Sequence, residues 1–389
     1  MQAEPDTGPV YSVADLGAAG TPDPGGLPPG VWFEPQDDAR DAHVLPETAA
    51  VFGVNADTRA RAYRAMAGKP LHRVGVFRVA GGQIVGRGLV ATRGGVLLAG
   101  AAITATPGTF SLYPWGALLT CRQDGCLVPK RPGMVRRRID GPAILGICPG
   151  YLIYGHILVD WLPRILLAAG LTGPDVPVIV PAALPGYARE LLAMLGIDPG
   201  RLIAVDETRE IVSVDELIVG GQVRAASHWW PGAARLLRPL LGQAEAGADL
   251  PRRFYVTRGQ VSNQRRRLLN RDAVDAALHR RGFQPVAPET LPLARQLALF
   301  ARAECVVGES GSGLHNSVFG TPGLRVGVLQ ADTLGSFLQA SLCGALDQPV
   351  AFAFGASPSL TPIANYGDFL VDPEALQAML DHVARDRPD

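Results

Sequence analysis

Residues 304–316 read Glu-Cys-Val-Val-Gly-Glu-Ser-Gly-Ser-Gly-Leu-His-Asn, an apolar run that leads into a loop of small residues. The apolar run is typical of a buried β-strand, and the loop is typical of a turn into a helix. Main-chain N–H groups and the helix dipole at such a turn attract an anion. The stretch therefore predicts a phosphate-binding loop, with a helix from about Gly313. A tight turn that needs small residues only for steric reasons is the competing interpretation.

Positive charge for this loop comes from a segment about one βα unit upstream. The predicted strand 254–257 ends at Arg258, and Arg265, Arg266 and Arg267 follow it. Residues after a strand lie at the ligand-binding edge of an open α/β sheet, and guanidinium groups suit a diphosphate. The segment therefore predicts the charged side of a nucleotide site, although a basic run of this kind is also common in solvated loops.

A third constellation is the polar stripe of His156, Asp160 and Arg164 in an otherwise apolar segment. Their i, i+4, i+8 spacing places them on one face of a helix, which Pro163 either kinks or starts. Burial of a carboxylate is costly unless it is paired or used. Burial also raises its pKa towards that of a general base, unless a nearby cation offsets the effect. The stripe predicts either an acid–base site or a structural charge network.

Apolar strands alternate with helical periodicity from Tyr151 onward, which is typical of βαβ units and predicts an α/β fold. The interface of two such domains predicts a ligand cleft. The expected organisation, in chain order, is an irregular segment at 1–50, a first α/β domain at 51–245 whose start at 72–110 is antiparallel and β-rich, a second α/β domain at 246–365, and a C-terminal helical segment at 366–389 that packs back on the first domain.

Composition argues against several classes of protein. The 36 basic and 36 acidic residues balance, so no overall field attracts nucleic acid or an anionic membrane. The five cysteines are an odd number, and Cys121 and Cys126 have no second Cys or His pair nearby, so neither a full disulfide framework nor a metal site is expected. The acidic N-terminus does not resemble a signal peptide, and the apolar region 141–171 is too interrupted for a membrane span. A soluble, cytoplasmic protein is expected.

Three segments together resemble glycosyltransferase family 61 (the DUF563 group), and the chain is identified as a bacterial member. The segment 156–164 resembles the family pattern H-x3-D-x-L-P-R, and the segment 255–270 resembles Y-[IV]-S-R followed by R-R-x-[IL]-N. The run 282–319 resembles the C-terminal signature of the family, with Gly-Phe at its start and Gly-Ser-Gly-Leu-x-Asn near its end. The resemblance covers about residues 150–330.

The resemblance implies a GT-B-like fold, in which two Rossmann-like domains face a cleft. It implies an inverting, metal-independent glycosyltransferase that needs no cofactor beyond its co-substrate, a nucleoside diphosphate sugar, with UDP as the first candidate. The implied acceptor is a hydroxyl of a glycan, glycolipid or other glycoconjugate, in bacterial surface polysaccharide biosynthesis. Oligomer formation and peripheral attachment at the inner membrane are left open.

The resemblance also assigns roles to residues. Asp160 is the implied base, with His156 either orienting the acceptor or serving as the base instead. Within the donor site, Glu289 would hold the ribose and Gln296 would support the loop. The residues implied in donor binding are Arg258, Arg266, Arg267, Asn270, Glu289, Gln296, Gly311, Ser312, Gly313 and Asn316. The implied supporting residues are Arg164, Ser310 and His315.

Departures from the family pattern leave the donor sugar open. The family often has His in place of Ser310, Ala in place of Ser312, Glu in place of Arg271, and a small or hydroxyl residue in place of His315. A catalytically inactive nucleotide- or glycan-binding protein on the same fold is one alternative, favoured by Ser310. A dinucleotide-dependent oxidoreductase is another, because 311–316 resembles the GxGxxG fingerprint, although Asn316 replaces its last glycine.

Overall fold

The structure, a computed structural model, describes residues 10–12, 30–36, 45–46, 49–67, 74–92, 95–98, 119–121, 127–129, 135–225, 227–245, 249–258, 266–333, 335–358 and 367–384. Only the main chain is described at 10–12, 91–92, 95–98, 119–121, 127–129 and 225. The chain forms two units. The first is Met1–Ala39 with His72–Ala225, and the second is Arg40–Leu71 with Ala226–Asp389.

Strands and helices alternate over much of the described chain. The strands are β1 (Val10–Ser12), β2 (Val31–Pro35), β3 (Ala50–Gly53), β4 (Gly75–Ala80), β5 (Gln83–Val85), β6 (Leu89–Thr92), β7 (Gly95–Leu98), β8 (Leu119–Cys121), β9 (Leu127–Pro129), β10 (Val135–Leu145), β11 (Val178–Pro181), β12 (Leu202–Val205), β13 (Glu210–Gly220), β14 (Arg224–Ala225), β15 (His228–Trp229), β16 (Arg253–Val256), β17 (Gln284–Val286), β18 (Cys305–Glu309), β19 (Arg325–Ala331) and β20 (Val350–Gly355).

The α-helices are α1 (Ala56–Ala67), α2 (Tyr154–His156), α3 (Leu162–Ala169), α4 (Gly186–Met194), α5 (Pro231–Leu237), α6 (Arg271–Arg280), α7 (Leu293–Ala301), α8 (Leu338–Gly344) and α9 (Pro373–Ala384). A π turn, Ile157–Trp161, joins α2 to α3. The 3₁₀ helices are Pro199–Arg201, Arg238–Gln243, Pro288–Thr290 and Leu314–Phe319.

The core of the first unit is a mixed sheet built around β13. This strand pairs with β10 in parallel and with β4 and β5 in antiparallel orientation, and β10 continues in parallel through β11 to β12. β11 is buried along its whole length, as expected of a parallel strand with both faces covered. Because β10, β11, β12 and β13 are parallel, their carboxyl ends meet at one edge, which carries the loop 146–153 and the turn 206–209.

The second unit is built on a six-stranded sheet in the order β17-β16-β18-β19-β20-β3, and every pair in it is parallel. β18 and β20 are buried at every residue. The carboxyl edge of this sheet carries Arg258, which follows β16, and Ser310, which follows β18. The sequence-based prediction of an α/β fold with parallel strands is confirmed in both units, and the GT-B arrangement stays a prediction.

The observed division of the chain differs from the predicted boundaries. Residues 51–71 were expected in the first domain and the residues before them in an irregular segment, but β3 pairs in parallel with β20 and completes the sheet of the second unit. Residues 226–245 also join the second unit, where the Trp229 N–H donates to Ser341 Oγ at 2.7 Å. Both segments are assigned to the second unit by contacts with residues far away in the chain, and a local sequence pattern does not predict such contacts.

Three local predictions can be compared with the structure. The antiparallel start is present, since β5 pairs with β6 and β6 with β7 in antiparallel orientation. The helix expected from Gly313 is a 3₁₀ helix of 6 residues. The C-terminal helix is α9, and it packs in the core of the second unit, with Met379 fully buried beneath β19. Packing of this segment on the first domain stays a prediction.

The docking of β3 on β20 generates a stability prediction. Gly53 has a φ of +89°, and a Cβ on it would overlap the Phe354 carbonyl oxygen. Gly323, in the same unit, has a φ of +87° and open space around it. Gly323→Ala should cost about 1–2 kcal/mol in free energy of unfolding from backbone strain alone. Gly53→Ala should cost about 1–3 kcal/mol more, because the strand cannot pair without a clash. Urea unfolding measures both, and equal losses would contradict the placement of β3.

Candidate functional site

The polar stripe of the first unit lies on a helix interrupted by a π turn. α2 continues through the turn Ile157–Trp161 into α3, and the Leu162 N–H donates to the Ile157 carbonyl, five residues back. Pro163 has no N–H for the next carbonyl, so the regular ladder cannot resume at that point. In place of the kink predicted at Pro163, the helix therefore has a wider π turn that begins before this proline. Such turns are frequent at functional sites.

Asp160 lies on this turn and is held by an arginine from another strand end. Its side chain is buried, and Nε and Nη2 of Arg224 both donate to its Oδ2, at 3.0 and 2.9 Å. Burial on its own raises the pKa of Asp160, but Arg224, followed by His156 and Arg164, lowers that pKa to about 2. The sequence left open whether a nearby cation would offset the effect of burial on the pKa of Asp160, and Arg224 is that cation. The carboxylate stays ionised at neutral pH and is a weak proton acceptor.

His156 is the more accessible partner of Asp160. Its side chain is 42% exposed, and its Nδ1 lies 3.8 Å from Oδ2 of Asp160. The ring lies against the main chain of Gly150, which has a φ of +91°, and a Cβ at that position would lie 3.0 Å from Cγ of His156. The imidazole is therefore held between a glycine and a carboxylate. With Nδ1 facing the carboxylate, Nε2 is the nitrogen that can exchange a proton with a ligand.

Arg164, the third member of the stripe, makes a structural contact between a helix and a strand. It is buried, and its Nε donates to the Gly220 carbonyl at 3.0 Å. A Cβ on Gly220 would overlap the main chain of Arg164, so helix and strand pack as closely as a glycine permits. Arg164 thereby fixes α3 against β13 and adds positive charge near Asp160.

In the second unit, two guanidinium groups converge on the small-residue loop. Arg258 Nη1 donates to the Ser310 carbonyl at 3.4 Å. A Cβ on Gly311 would lie 2.5 Å from Arg258 Nη1 and 3.8 Å from Arg266 Nη2, so both groups lie over the main chain of this glycine. Among the described residues, the N–H groups at 311–313 have no main-chain acceptor. The loop thus combines positive charge with main-chain donors, as an anion site requires.

Buried polar side chains support the loop from behind. Asn316 is fully buried and its Nδ2 donates to Gln296 Oε1 at 3.3 Å, while Gln296 Nε2 donates to the Leu291 carbonyl at 2.9 Å. His315 Nδ1 lies 3.1 Å from Oε1 of the buried Gln339. Asn316 and Gln296 thus pack against the buried side of the loop. Gly311, Ser312 and Gly313 are partly exposed and form its accessible side.

Two of the remaining predicted donor residues, Arg267 and Asn270, contact other parts of the second unit. The guanidinium of Arg267 contacts Asp368 Oδ2 through Nε at 3.0 Å and Nη2 at 2.6 Å. The amide of Asn270 bonds both main-chain groups of Val371, at 2.7 and 3.1 Å, and so fixes the start of α6. Glu289 is exposed after β17, at the carboxyl edge of the sheet. Arg265 lies outside the described residues.

Sequence reasoning missed three charged residues. Arg224 follows β13, and the rule that singled out Arg258 after its strand would have found it. The buried carboxylate of Glu309 ends β18, and Arg271 Nη2 donates to its Oε1 at 2.5 Å while Nη1 contacts Thr257 Oγ1 at 3.3 Å. Glu309 and Arg271 are far apart in the chain, and no local pattern indicates that they meet.

The described residues can also be compared with the requirements of a metal site, a disulfide and a membrane-spanning helix. In the described part of the chain, no three His, Cys, Asp or Glu side chains lie close enough to hold a metal ion. Cys148, Cys305 and Cys343 are free and buried, whereas Cys126 lies outside the described residues. No helix in the described ranges is long and apolar enough to cross a membrane.

His156, Asp160, Arg224, Arg258 and the loop 311–316 lie in one stretch of the chain. Residues 154–327 match the family model Glycosyltransferase 61. The match supports the family resemblance and, with it, a glycosyltransferase that has a sugar donor and an acceptor as its substrates. No curated protein matches the chain.

The ion pair between Asp160 and Arg224 predicts a pH-dependent contribution to stability. Because the pKa of Asp160 is lowered to about 2 in the folded state, the contribution is full above about pH 5 and is lost as pH falls towards 2. Arg224→Met should lower the free energy of unfolding by about 3–5 kcal/mol at pH 7, because a buried carboxylate loses its partner.

Urea unfolding of wild type and Arg224→Met between pH 7 and pH 3 measures this effect. The gap between the two proteins should narrow below pH 5, as Asp160 takes up a proton in the unfolded chain. The matched control is Arg138→Met, whose exposed side chain pairs with Asp140 and Asp215 and should matter little. A gap that stays constant with pH would contradict the assignment of the effect to Asp160.

Proposed function

We propose that this protein is an inverting, metal-independent glycosyltransferase. It moves a sugar from a nucleoside diphosphate sugar, with UDP as the favoured nucleotide, to a hydroxyl of a glycan or glycoconjugate. The convergence of Arg258 and Arg266 on Gly311, inside the segment that matches the family model, is the observation that carries the proposal. A role in bacterial surface polysaccharide biosynthesis and a GT-B arrangement are further parts of it.

On the donor side, the leaving group is a nucleoside diphosphate that gains negative charge as its bond to the sugar breaks. Arg258 and Arg266 stabilise this charge, together with the N–H groups at 311–313. The 3₁₀ helix after the loop is only 6 residues long, so the guanidinium groups, more than a helix dipole, supply the positive potential. Glu289, at the same edge of the sheet, is proposed to bind a ribose hydroxyl.

On the acceptor side, we propose His156 as the general base. Its ring is partly exposed and faces Asp160 through Nδ1, whereas Asp160 is buried and engaged by Arg224. A carboxylate whose pKa is about 2 takes up a proton poorly, but it stabilises the imidazolium that forms when His156 does so. Arg224 keeps the carboxylate ionised and in place.

The proposed reaction is a single displacement. Nε2 of His156 removes the proton of the acceptor hydroxyl, and the oxygen forms a bond to the anomeric carbon. The bond from that carbon to the diphosphate breaks on the opposite side and its electron pair leaves with the diphosphate, so the configuration inverts. The imidazolium then releases its proton to solvent.

The first test is nucleotide binding by calorimetry. UDP should bind the wild type and NAD should not, because a diphosphate on one nucleoside fits the proposed site. Arg258→Ala should weaken UDP binding about 10- to 100-fold, since it removes charged hydrogen bonds to the diphosphate. Arg267→Ala is the matched control, because its guanidinium is engaged by Asp368. Equal UDP affinity in wild type and Arg258→Ala would remove Arg258 from the site, and binding of NAD alone would favour an oxidoreductase.

The second test separates the base from donor binding. UDP release is measured with a panel of UDP-sugars and glycan acceptors in the presence of EDTA, because the proposal requires no metal ion. His156→Gln should lower turnover by about 10²- to 10⁴-fold, the usual contribution of a general base, with UDP affinity unchanged. Turnover within twofold of wild type would exclude His156 as the base, and activity only without EDTA would contradict metal independence.

A further inference from the structure

A buried polar cluster lies behind the loop 146–153, and the proposed transfer step makes no use of it. The Tyr151 hydroxyl donates to Glu207 Oε1, and both side chains are buried. Arg87 completes the cluster, with Nε 3.7 Å from the same oxygen and its guanidinium carbon 5.7 Å from the centre of the Tyr151 ring. The three side chains come from the loop after β10, the turn after β12 and the turn between β5 and β6.

The cluster connects to His156 through a single peptide unit. Gly150 directly precedes Tyr151, and the His156 ring rests on its main chain, with Cγ only 3.0 Å from where a Cβ would lie. The Gly150 carbonyl also accepts a hydrogen bond of 2.8 Å from the Ile153 N–H at the start of the helix that carries His156. A shift of Tyr151 must therefore move the surface on which the imidazole lies.

The turn that carries Arg87 holds the same loop from the other side. A Cβ on Gly88 would overlap the Ile147 carbonyl oxygen, so this turn is in direct contact with the loop main chain. The loop 146–153 is thus fixed at Ile147 by a main-chain contact and at Tyr151 by a side-chain hydrogen bond. Gly150 lies between these two fixed points.

The cluster is expected to fix the position of the loop more than to raise the free energy of unfolding. Taking the Glu207 carboxylate out of water costs free energy that its attraction to the partly exposed Arg87 only partly returns, and apolar residues of similar size often stabilise a core as well. Burial, followed by Glu207, raises the pKa of Tyr151, so the phenol remains a hydrogen-bond donor throughout the neutral range. The bond to Glu207 therefore gives the loop one defined position.

We propose that Tyr151 and Glu207 are positioning residues for the base: they fix the loop 146–153 so that Gly150 holds His156 with Nδ1 towards Asp160. This rests on the proposed function of His156. Loss of the Tyr151 hydroxyl should lower kcat by about 10- to 100-fold, as expected when a catalytic group is misplaced by about 1 Å, and should leave UDP affinity unchanged.

The test is an NMR spectrum of protein labelled with ¹³C at histidine, which needs no substrate. The chain has 7 histidines, and the signal of His156 is the one missing from His156→Gln. Tyr151→Phe should shift the His156 signal by more than its linewidth and leave the other histidine signals in place. Glu207→Gln keeps an acceptor for the Tyr151 hydroxyl and should leave the His156 signal at its wild-type position. Tyr63→Phe is the matched control, because its hydroxyl donates to the Pro46 carbonyl at 2.7 Å and both residues belong to the second unit.

An unmoved His156 signal in Tyr151→Phe would overturn the proposal. A shift of all histidine signals would overturn it as well, since the pair would then hold the whole unit and not the loop. If Tyr151→Phe does not fold, Arg87→Met replaces it, because Arg87 is partly exposed, and the same signal must shift. The spectrum is independent of UDP binding, so failure of this proposal and failure of the transferase proposal are distinguishable.

Discussion

In a parallel sheet every strand points the same way, so the loops that follow the strands must meet at one edge. Both units of this protein depend on that constraint. In the first unit the edge carries the loop 146–153, the turn after β12 and Arg224 after β13. In the second unit it carries Arg258 and the loop 311–313. The common direction of the strands thereby brings residues that are far apart in the chain to one edge of each sheet.

Burial of charge explains how these surfaces are held. A carboxylate removed from water must be paired, and Asp160 is paired with Arg224 while Glu309 is paired with Arg271. Each pair joins a residue on or after a strand to a residue on a helix. The pairing keeps Asp160 ionised, which suits it to orienting and stabilising a protonated imidazole. In the proposed reaction, the partly exposed His156 is therefore the group that exchanges protons with a substrate.

The sequence predicts the parts of this molecule that depend on local pattern. The apolar run 305–309 is a buried strand, and the spacing of His156 and Asp160 brings them together as expected of helical neighbours. Arg258 could be placed at the loop because residues after parallel strands share an edge. Sequence pattern did not predict contacts that depend on tertiary packing, such as β3 on β20, Arg224 on Asp160 or the engagement of Arg267 by Asp368. Nor did it predict the π turn, because the ladder breaks before the proline that prompted the expectation of a kink.

The proposed function requires that a diphosphate binds where Arg258 and Arg266 meet the main chain of Gly311. A crystal structure of the protein soaked with UDP would show whether it does. Diphosphate density is expected within hydrogen-bond distance of both guanidinium groups and of N–H groups at 311–313. Ordered UDP density elsewhere in the second unit, with Arg258 still on the Ser310 carbonyl and no contact to the loop, would contradict it.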